Sequence, residues 1–168
     1  MQPRLTATAI AICMLAGVLL VLGSLVGVQA LRLVYNPSDS APRGFYLVEE
    51  PVDVRVGDYV IARLPAAVAE IAAARGYLPR SIPVLKQVAA VGGQLVCIAD
   101  DSVFIDTEAV AKVIANDAHG RPLRAWDQCR RLTQHEVFLL NTTNAASFDS
   151  RYFGPLDISF LRGRATLW

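Results

Sequence analysis

The stretch Asn36-Pro-Ser-Asp-Ser-Ala-Pro-Arg-Gly-Phe-Tyr46 joins two parts of the chain that differ sharply in composition. It places two hydroxyls, on Ser38 and Ser40, just before the structure breakers Pro42 and Gly44. Such residues favour an exposed, tightly held turn, and a turn of this kind can present a hydroxyl to a substrate. We therefore consider Ser40 a candidate nucleophile. The same residue types would also make a plain linker between an anchor and a folded domain.

The segment before this stretch is strongly apolar. Residues 5–31 contain no charged side chain and exceed the roughly 20 residues that a helix needs to span a bilayer. We predict a retained membrane anchor over residues 1–31. A cleaved signal peptide is the alternative, because Val28-Gln29-Ala30 resembles a cleavage site, although the apolar run is longer than the roughly 7–15 residues usual for such peptides. The arginines that flank the segment do not determine its orientation.

The remainder of the 168-residue chain has room for one domain, which we place at residues 32–168. The net charge is +1 and 18% of the residues are charged, so there is no basic surplus that would follow a phosphate backbone. We predict no nucleic-acid partner.

Short apolar runs separated by Gly, Asp and Pro predict that this domain is mostly β. The predicted strands lie within residues 45–48, 58–63, 84–91, 94–99, 102–114, 133–140 and 164–168. One Ala-rich string begins at Pro65 and ends at Gly76, and this order of Pro and Gly predicts one short helix inserted between strands. Residues 116–127 are predicted to form a loop with an exposed Trp126.

Two of the three cysteines, Cys97 and Cys129, fall in the domain, whereas Cys13 lies in the apolar segment. Neither domain cysteine belongs to a cluster with metal-ligand spacing. A disulfide between them is the prediction, and two unpaired buried thiols are the alternative. A disulfide would place the domain in an oxidising compartment outside the cytoplasm.

Lys86 lies inside the apolar run 84–91, in a chain that has two lysines against fourteen arginines. A desolvated lysine can lose its proton and act as a base, whereas an arginine stays charged. To act near neutral pH, Lys86 would need its pKa lowered by about 3 units. A Ser-Lys pair would then consist of Ser40 and Lys86. The alternative is a lysine on the exposed face of a half-buried strand.

A Ser-His-Asp triad is a competing arrangement and would need His119 or His135, the two histidines of the chain. His119 lies in a Gly-Pro turn and His135 at a strand entrance, where ordinary solvent-exposed roles suffice. We therefore favour the lysine as the base.

Three segments, in order, resemble the TraF-type conjugative transfer peptidases, a branch of the type I signal peptidase family with a Ser-Lys dyad. The segments are the nucleophile motif Asn36-x-Ser38-x-Ser40-x-Pro42-x-Gly44-x-Tyr46, the lysine box Leu85-Lys86-Gln-Val88 followed by Gly92-Gly93, and the last box Ser147-x-Asp149-Ser150-Arg151-Tyr-Phe-Gly154. With the apolar N-terminal segment, the resemblance covers essentially the whole chain. It implies a signal-peptidase-like β domain on an N-terminal transmembrane helix.

The resemblance also implies roles for individual residues. Ser40 would be the acylated nucleophile and Lys86 the general base. Supporting roles would fall to Ser38 and the Ser40 backbone N–H as oxyanion donors, to Ser147 in orienting the lysine amine, and to Asp149 with Arg151 in bracing the site. No metal or organic cofactor is implied.

Two departures separate this chain from general signal peptidases. These usually carry a Gly-Asp-Asn-Arg run where Asn141-Thr-Thr-Asn144 stands here, and commonly an Asp where Gln94 follows the glycines. The conjugative branch is favoured, whose members mature a pilin precursor and can join its ends into a ring. The implied enzyme is a single-pass protein of the bacterial inner membrane with its catalytic domain in the periplasm. Its implied partners are a precursor polypeptide, the membrane and a transfer or secretion complex. A general signal peptidase and a catalytically silent interaction domain are the alternatives.

Overall fold

The structure is a computed structural model that describes Ala9 and residues 12–18, 32–50 and 53–168. Most of the predicted anchor, residues 1–31, lies outside the described residues. Among the residues that are described, no helix has both the length and the apolar character needed to cross a membrane. The chain divides into two units, Met1–Leu31 and Arg32–Trp168, and the second contains every element named below.

The domain is mostly β, as predicted. Its elements in chain order are β1 (Arg32–Asn36), β2 (Gly44–Glu49), β3 (Tyr59–Ala62), α1 (Ala66–Ala74), β4 (Val84–Val91), β5 (Leu95–Ala99), β6 (Ser102–Ile105), β7 (Glu108–Lys112), β8 (Cys129–Arg131), β9 (Glu136–Leu140), α2 (Ser150–Phe153), β10 (Leu156–Asp157), a 3-10 turn (Ile158–Phe160) and β11 (Leu161–Leu167). Helix α1 is the predicted inserted helix. The four-residue helix α2 lies inside the last sequence box and was not predicted.

Two antiparallel sheets make up the domain. The larger sheet has seven strands in the order β1-β2-β11-β3-β4-β9-β10, and the smaller has four in the order β7-β6-β5-β8. Strand β4 pairs with β3 on one side and with β9 on the other. Consecutive side chains of a strand point to opposite faces, and the consecutive residues Leu85 and Lys86 are both buried, so both faces of β4 are covered here.

Two apolar clusters position the regions that matter for function. One includes Ala90 of β4, Val96 of β5, Val103 of β6 and Phe138 of β9, so it joins the two sheets. The other combines Ala41, Tyr46, Val48, Ile61, Leu85 and Ala165, together with the flanking Val34 and Tyr59. This second cluster packs the connection between β1 and β2 against the start of β4.

Strands β1 and β2 form a hairpin in which Asn36 pairs with Gly44, and residues 37–43 form its loop. Gly44 has a φ of 153°, and a Cβ at this position would lie 2.9 Å from Leu167 Cδ1. A residue without a side chain therefore allows the loop to close against β11. We call residues 37–43 the nucleophile turn.

Two further features bear on the sequence predictions. Cys97 of β5 lies directly opposite Cys129 of β8, and the two are joined by a disulfide. The prediction that Trp126 is exposed is wrong, because its side chain is half-buried. Its ring packs 5.6 Å from that of Phe138 and lies close over Gly154, covering the cluster between the two sheets.

Candidate active site

The nucleophile turn is organised by one buried side chain, that of Asn36, which is 6% exposed. Its Nδ2 atom donates to the carbonyls of Ser38 at 3.1 Å, Ala41 at 3.0 Å and Pro42 at 3.2 Å. Its Oδ1 atom accepts from the Ser38 N–H at 3.2 Å. A single amide thus holds a loop that has no regular backbone pairing of its own.

The hydroxyls of Ser38 and Ser40 lie 2.7 Å apart inside this turn. Because three carbonyls surround Asn36 Nδ2, the orientation of that amide is fixed, and Asn36 Oδ1 must act as an acceptor. Ser38 Oγ donates its one proton to Asn36 Oδ1 at 2.8 Å, so it accepts the proton of Ser40. In this structure the Ser40 hydroxyl therefore points at Ser38, and the Ser38 proton is already in use.

Lys86 is buried, with 4% of its surface exposed. It lies opposite Val60 of β3, and its Nζ atom donates to Ser147 Oγ at 2.5 Å. The alternative of an exposed lysine on a half-buried strand is therefore wrong, because β4 is covered on both faces at this point. The contact joins Lys86 to Ser147, the residue for which the family resemblance implies an orienting role.

Burial lowers the pKa of Lys86 from 10.5 to about 8. Desolvation of the ammonium is the main cause, the carboxylate of Asp149 opposes it, and the guanidinium of Arg151 adds to it. With this pKa, roughly a tenth of the molecules carry a neutral amine at pH 7. A neutral buried amine is a competent general base.

Asp149 and Arg151 form a fully buried ion pair, with exposed fractions of 0% and 1%. Arg151 Nε donates to Asp149 Oδ1 at 2.8 Å and Arg151 Nη2 to Oδ2 at 2.7 Å, which is the paired geometry that makes such contacts strong. Asp149 is also the N-cap of α2 and accepts from the Arg151 N–H. This pair fixes the segment that carries Ser147.

Phe148 secures the same segment from its other side. Its ring lies 5.2 Å from that of Tyr77, 6.0 Å from that of Tyr152 and 5.6 Å from that of Phe153. It also borders a mostly apolar cleft of about 420 Å³ that is lined by α1 and the loop before β8. Aromatic packing and the buried ion pair together hold Ser147 against Lys86.

Asn141 is a buried residue whose part in the site the sequence did not reveal. Its Nδ2 atom donates to the Asp39 carbonyl at 2.6 Å, and its backbone N–H donates to Asp149 Oδ2 at 3.0 Å. Among the described residues, this side chain makes the hydrogen bond that joins the nucleophile turn to the segment 141–151. Sequence reasoning had no signal for it, because the two partners are 102 residues apart.

The structure brings most of the candidate residues together in pairs: Ser38 with Ser40, Lys86 with Ser147, and Asp149 with Arg151. Ala41, next in the chain to Ser40, and Leu85, next to Lys86, share one apolar cluster. Within the described part of the chain, Ser40 Oγ is hydrogen-bonded to Ser38 rather than to Lys86.

Other candidates lie away from this centre. His119 and His135 are both exposed, and the His119 ring nitrogen faces Arg121 at 3.4 Å. The disulfide of Cys97 and Cys129 belongs to the smaller sheet. In the part of the chain that the structure describes, no group of three or more His, Cys, Asp or Glu side chains is arranged to hold a metal ion.

Comparison with known proteins bears on this arrangement. The family described as "Signal peptidase, peptidase S26" matches residues 5–168. The conjugal transfer protein TraF of Agrobacterium tumefaciens (strain 15955) is 38% identical over 140 residues, which are 77% of this chain and 77% of that protein. The plasmid transfer protein TraF of Escherichia coli is 33% identical over 137 residues, 76% of each chain.

Among solved structures, a signal peptidase I from Enterococcus faecalis V583 aligns with a TM-score of 0.43 and 18% identity, covering 68% of this chain and 97% of that one. The family match and the identity to the conjugal transfer proteins confirm the family that the three sequence boxes predicted. The chain belongs to the signal peptidase family, peptidase S26.

Proposed function

We propose that this protein is a membrane-anchored serine endopeptidase in which Ser40 is the nucleophile and Lys86 the general base, and that it matures a pilin-like precursor for conjugative transfer. The observation that carries the proposal is the buried amine of Lys86, with a pKa of about 8, held by the hydroxyl of Ser147. A lysine whose pKa is lowered by desolvation and whose amine is held by a hydroxyl is a candidate general base.

The reaction begins when the Ser40 side chain turns from Ser38 towards Lys86. Ser40 Oγ attacks the scissile carbonyl carbon while its proton passes to the neutral Lys86 amine. The Ser40 N–H and the Ser38 hydroxyl, once released from Asn36, stabilise the negative oxygen of the tetrahedral intermediate. The Lys86 ammonium then gives its proton to the leaving amine, and an acyl-enzyme remains.

Water or an amine then cleaves the acyl-enzyme. Water gives a linear product, whereas attack by the amino end of the same polypeptide gives a ring and releases the enzyme unchanged. Asp149 and Arg151 support both steps by holding the segment that carries Ser147 in place. We include head-to-tail cyclisation in the proposal as the outcome of the amine route.

The substrate and the location rest on other observations. The relatives named as conjugal and plasmid transfer proteins support a role in conjugation, with a transfer complex as partner. The disulfide of Cys97 and Cys129 supports an oxidising compartment. We therefore place the domain in the periplasm and residues 1–31 as a single span of the inner membrane.

A second candidate is a general signal peptidase that acts on many exported proteins. The match to the signal peptidase family supports it, and the chemistry would be the same. Comparing the exported proteins of cells with and without this protein separates the two functions. A single uncut precursor in the deleted strain supports the pilin-like substrate, and many uncut precursors support the general peptidase.

The base is tested by Lys86→Arg, with Lys112→Arg as the matched control. Both lysines donate to a serine hydroxyl, but Lys112 is exposed and bonds to Ser102 at 2.9 Å. Arginine keeps the charge and cannot be a base near neutral pH. Mass spectrometry of a co-expressed pilin-like precursor should show cleavage with the wild type and Lys112→Arg only. Near-normal cleavage by Lys86→Arg would rule out the proposed base.

The same mass spectra test cyclisation and the histidine alternative. A processed product that lacks one further water has closed into a ring, whereas a processed linear product limits the enzyme to cleavage. The double variant His119→Ala with His135→Ala should process the precursor as the wild type does, since both side chains are exposed. Loss of processing in that variant would favour a histidine-based site.

A further inference from the structure

We propose that Asn141 is a positioning residue that aims the backbone N–H of Ser40 at the oxyanion. This inference rests on the proposed function, because it assigns a role within the reaction of Ser40. Asn141 does not belong to any of the three sequence boxes. It acts through the peptide group between Asp39 and Ser40, and it does not touch the reacting atoms.

The peptide group between Asp39 and Ser40 is held at its carbonyl. Asn141 Nδ2 donates to the Asp39 carbonyl oxygen at 2.6 Å. The described chain contains no cis peptide bond, so this peptide is trans and planar. In a trans peptide the carbonyl and the N–H point in opposite directions. By holding the carbonyl of Asp39, Asn141 therefore fixes the direction of the N–H of Ser40.

The N–H of Ser40 is also free to donate to an oxyanion, because its present hydrogen bond is weak. Its contact in the structure is Ser38 Oγ at 3.4 Å, which is long for a hydrogen bond to a backbone N–H. A donor with a weak partner can turn to a developing negative charge at little cost. The Ser40 N–H is thus a donor with a fixed direction and a largely unused capacity for hydrogen bonding.

Asn141 is itself held rigidly. It is 5% exposed, its N–H donates to Asp149 Oδ2 at 3.0 Å, and its carbonyl accepts from Arg151 Nη2 at 3.1 Å. Its Oδ1 accepts from the N–H of Thr143 at 3.0 Å and from Thr143 Oγ1 at 2.8 Å. These donors fix the orientation of the amide, so Nδ2 is the atom that faces Asp39.

Together these contacts give one segment two tasks. Ser147 contacts the base and Asn141 contacts the peptide of the oxyanion donor, and the buried pair of Asp149 and Arg151 supports these two residues. The nucleophile turn and the base are therefore set relative to each other by a single element. This explains why an exposed turn can carry a precise catalytic geometry.

The test is Asn141→Asp, with Asn144→Asp as the matched control. The first change keeps the shape and the Oδ1 contacts but replaces the donor by an oxygen that repels the Asp39 carbonyl. The second puts the same charge in the same loop and keeps the acceptor for the Ala146 N–H at 2.9 Å. Asn141→Ala serves as a second variant, and circular dichroism checks that each variant is folded.

The probe is N-acetyl-alanine p-nitrophenyl ester, applied to the full chain in detergent. Ser40 Oγ bonds to the acyl carbon, p-nitrophenolate leaves, and the Ser40 proton passes to Lys86. We expect Asn141→Asp to lower the acylation rate constant by about 10–100-fold with the KM within about twofold of the wild type. Asn144→Asp should stay within about threefold in both. The midpoint of the acid limb of the pH profile should agree between the two variants.

Other results overturn the inference in distinguishable ways. Equal acylation rates in Asn141→Asp and Asn144→Asp refute the role of Asn141, and so does a raised KM with an unchanged rate constant, which indicates substrate binding instead. A wild-type protein that gives no burst of p-nitrophenolate, or a burst that survives in Ser40→Ala, refutes the proposed nucleophile itself.

Discussion

At the scale of single residues, Lys86 and Lys112 show how burial makes one lysine a candidate base and leaves the other on the surface. Each amine donates to a serine hydroxyl. Lys86 lies in the middle of the larger sheet and is 4% exposed, whereas Lys112 is exposed at the end of β7. The same side chain therefore has a lowered pKa in one place because the sheet excludes water from its ammonium.

The pH dependence of the reaction follows from this difference. In the proposed reaction the active form of Lys86 is the neutral amine, which predominates above its pKa of about 8. We expect the acylation rate to rise about tenfold per pH unit below pH 7 and to level off above pH 9. The rate of ester acylation measured from pH 5.5 to 9.5 checks this. A rate that levels off already at pH 6 would point to a different base.

Stability should respond to the same titration. The pKa of Lys86 is about 8 in the folded chain, against an ordinary value of 10.5. Between these values the unfolded chain binds more protons, so stability rises with pH across this window. Below about pH 8 the amine is protonated in both states, and the folded chain bears the full cost of burying a charge.

Lys86→Met should therefore stabilise the domain at pH 7 by about 1–3 kcal/mol, because the unpaired Ser147 hydroxyl cancels part of the gain. The gain should shrink as the pH approaches 10.5. Thermal unfolding of the wild type and the variant at pH 7 and pH 10 measures it. Lys112→Met is the control for the removal of a lysine side chain, because it removes one from an exposed position. A destabilised Lys86→Met at pH 7 would contradict the cause given for the lowered pKa.

At the scale of secondary-structure elements, the sequence predicted what a local pattern can carry. Strand β4 occupies the predicted residues 84–91, because a largely apolar run of this length can be recognised without knowing which strands pair with it. Strands β1, β8 and β10 were not predicted. CRR and LD are too short to show a pattern, and RLVYN has three apolar residues in a row without alternation; each is a strand because a neighbour pairs with it.

The residues of the candidate site also divide into those that a local sequence pattern predicts and those that it does not. The three boxes were recognisable because each is a short local motif, and the structure places Lys86 against Ser147 and Asp149 against Arg151. The contact of Asn141 with the Asp39 carbonyl joins residues far apart in the chain, and no local pattern encodes it. The exposure of Trp126 was predicted wrongly for a related reason: the sequence of its loop does not indicate that the ring packs on an apolar cluster.

The close approach of the paired strands β11 and β2 at Gly163 leads to a prediction at this scale. A Cβ at Gly163 would lie 2.4 Å from Val48 Cγ1 and 2.6 Å from the Glu49 carbonyl oxygen. Because the second contact is with backbone, the strands would have to separate. We expect Gly163→Ala to destabilise the domain by about 1–3 kcal/mol. Thermal unfolding measures this, with Thr166→Ala at an exposed position of β11 as the control.

An unchanged melting temperature in Gly163→Ala would mean that β2 and β11 are less closely packed than the structure shows. The result matters for the site, since β2 continues directly from the nucleophile turn and pairs with β11 along Tyr46 to Glu49. Separation of these strands should also lower the acylation rate of Ser40. A destabilised variant with a normal rate would show that the turn is held by Asn36 and Asn141 alone.

At the scale of the whole domain, the two sheets have different tasks. Strand β4 of the larger sheet carries Lys86, and the connections after β1 and β9 carry Ser40 and Ser147. In the described part of the chain, a hydrogen bond from Arg151 Nη1 to the Lys112 carbonyl at 2.8 Å connects the smaller sheet to this centre. That contact comes from β7, at one edge of the smaller sheet. The disulfide involves β8, at the opposite edge.

This separation allows stability and activity to be tested independently. The disulfide of Cys97 and Cys129 closes a loop with a sequence separation of 32 residues. The double variant Cys97→Ser with Cys129→Ser should lower the free energy of unfolding by about 2–4 kcal/mol, because the unfolded chain regains the freedom of that loop. The acylation rate of Ser40 at 25 °C should stay within about twofold of the wild type, since the cross-link joins β5 and β8, whereas the hydrogen bond from the smaller sheet to Arg151 comes from β7.

Denaturant unfolding and ester acylation of the same preparations measure the two quantities. Treatment of the wild type with a reducing agent should reproduce the loss of stability, and should have no effect on the double variant, which controls for other actions of the reagent. A large fall in the acylation rate of the folded double variant would contradict this division of tasks. It would mean that the edge strand β8 transmits its position through β5 and β6 to Lys112 and Arg151, so that the smaller sheet forms part of the support of the catalytic segment.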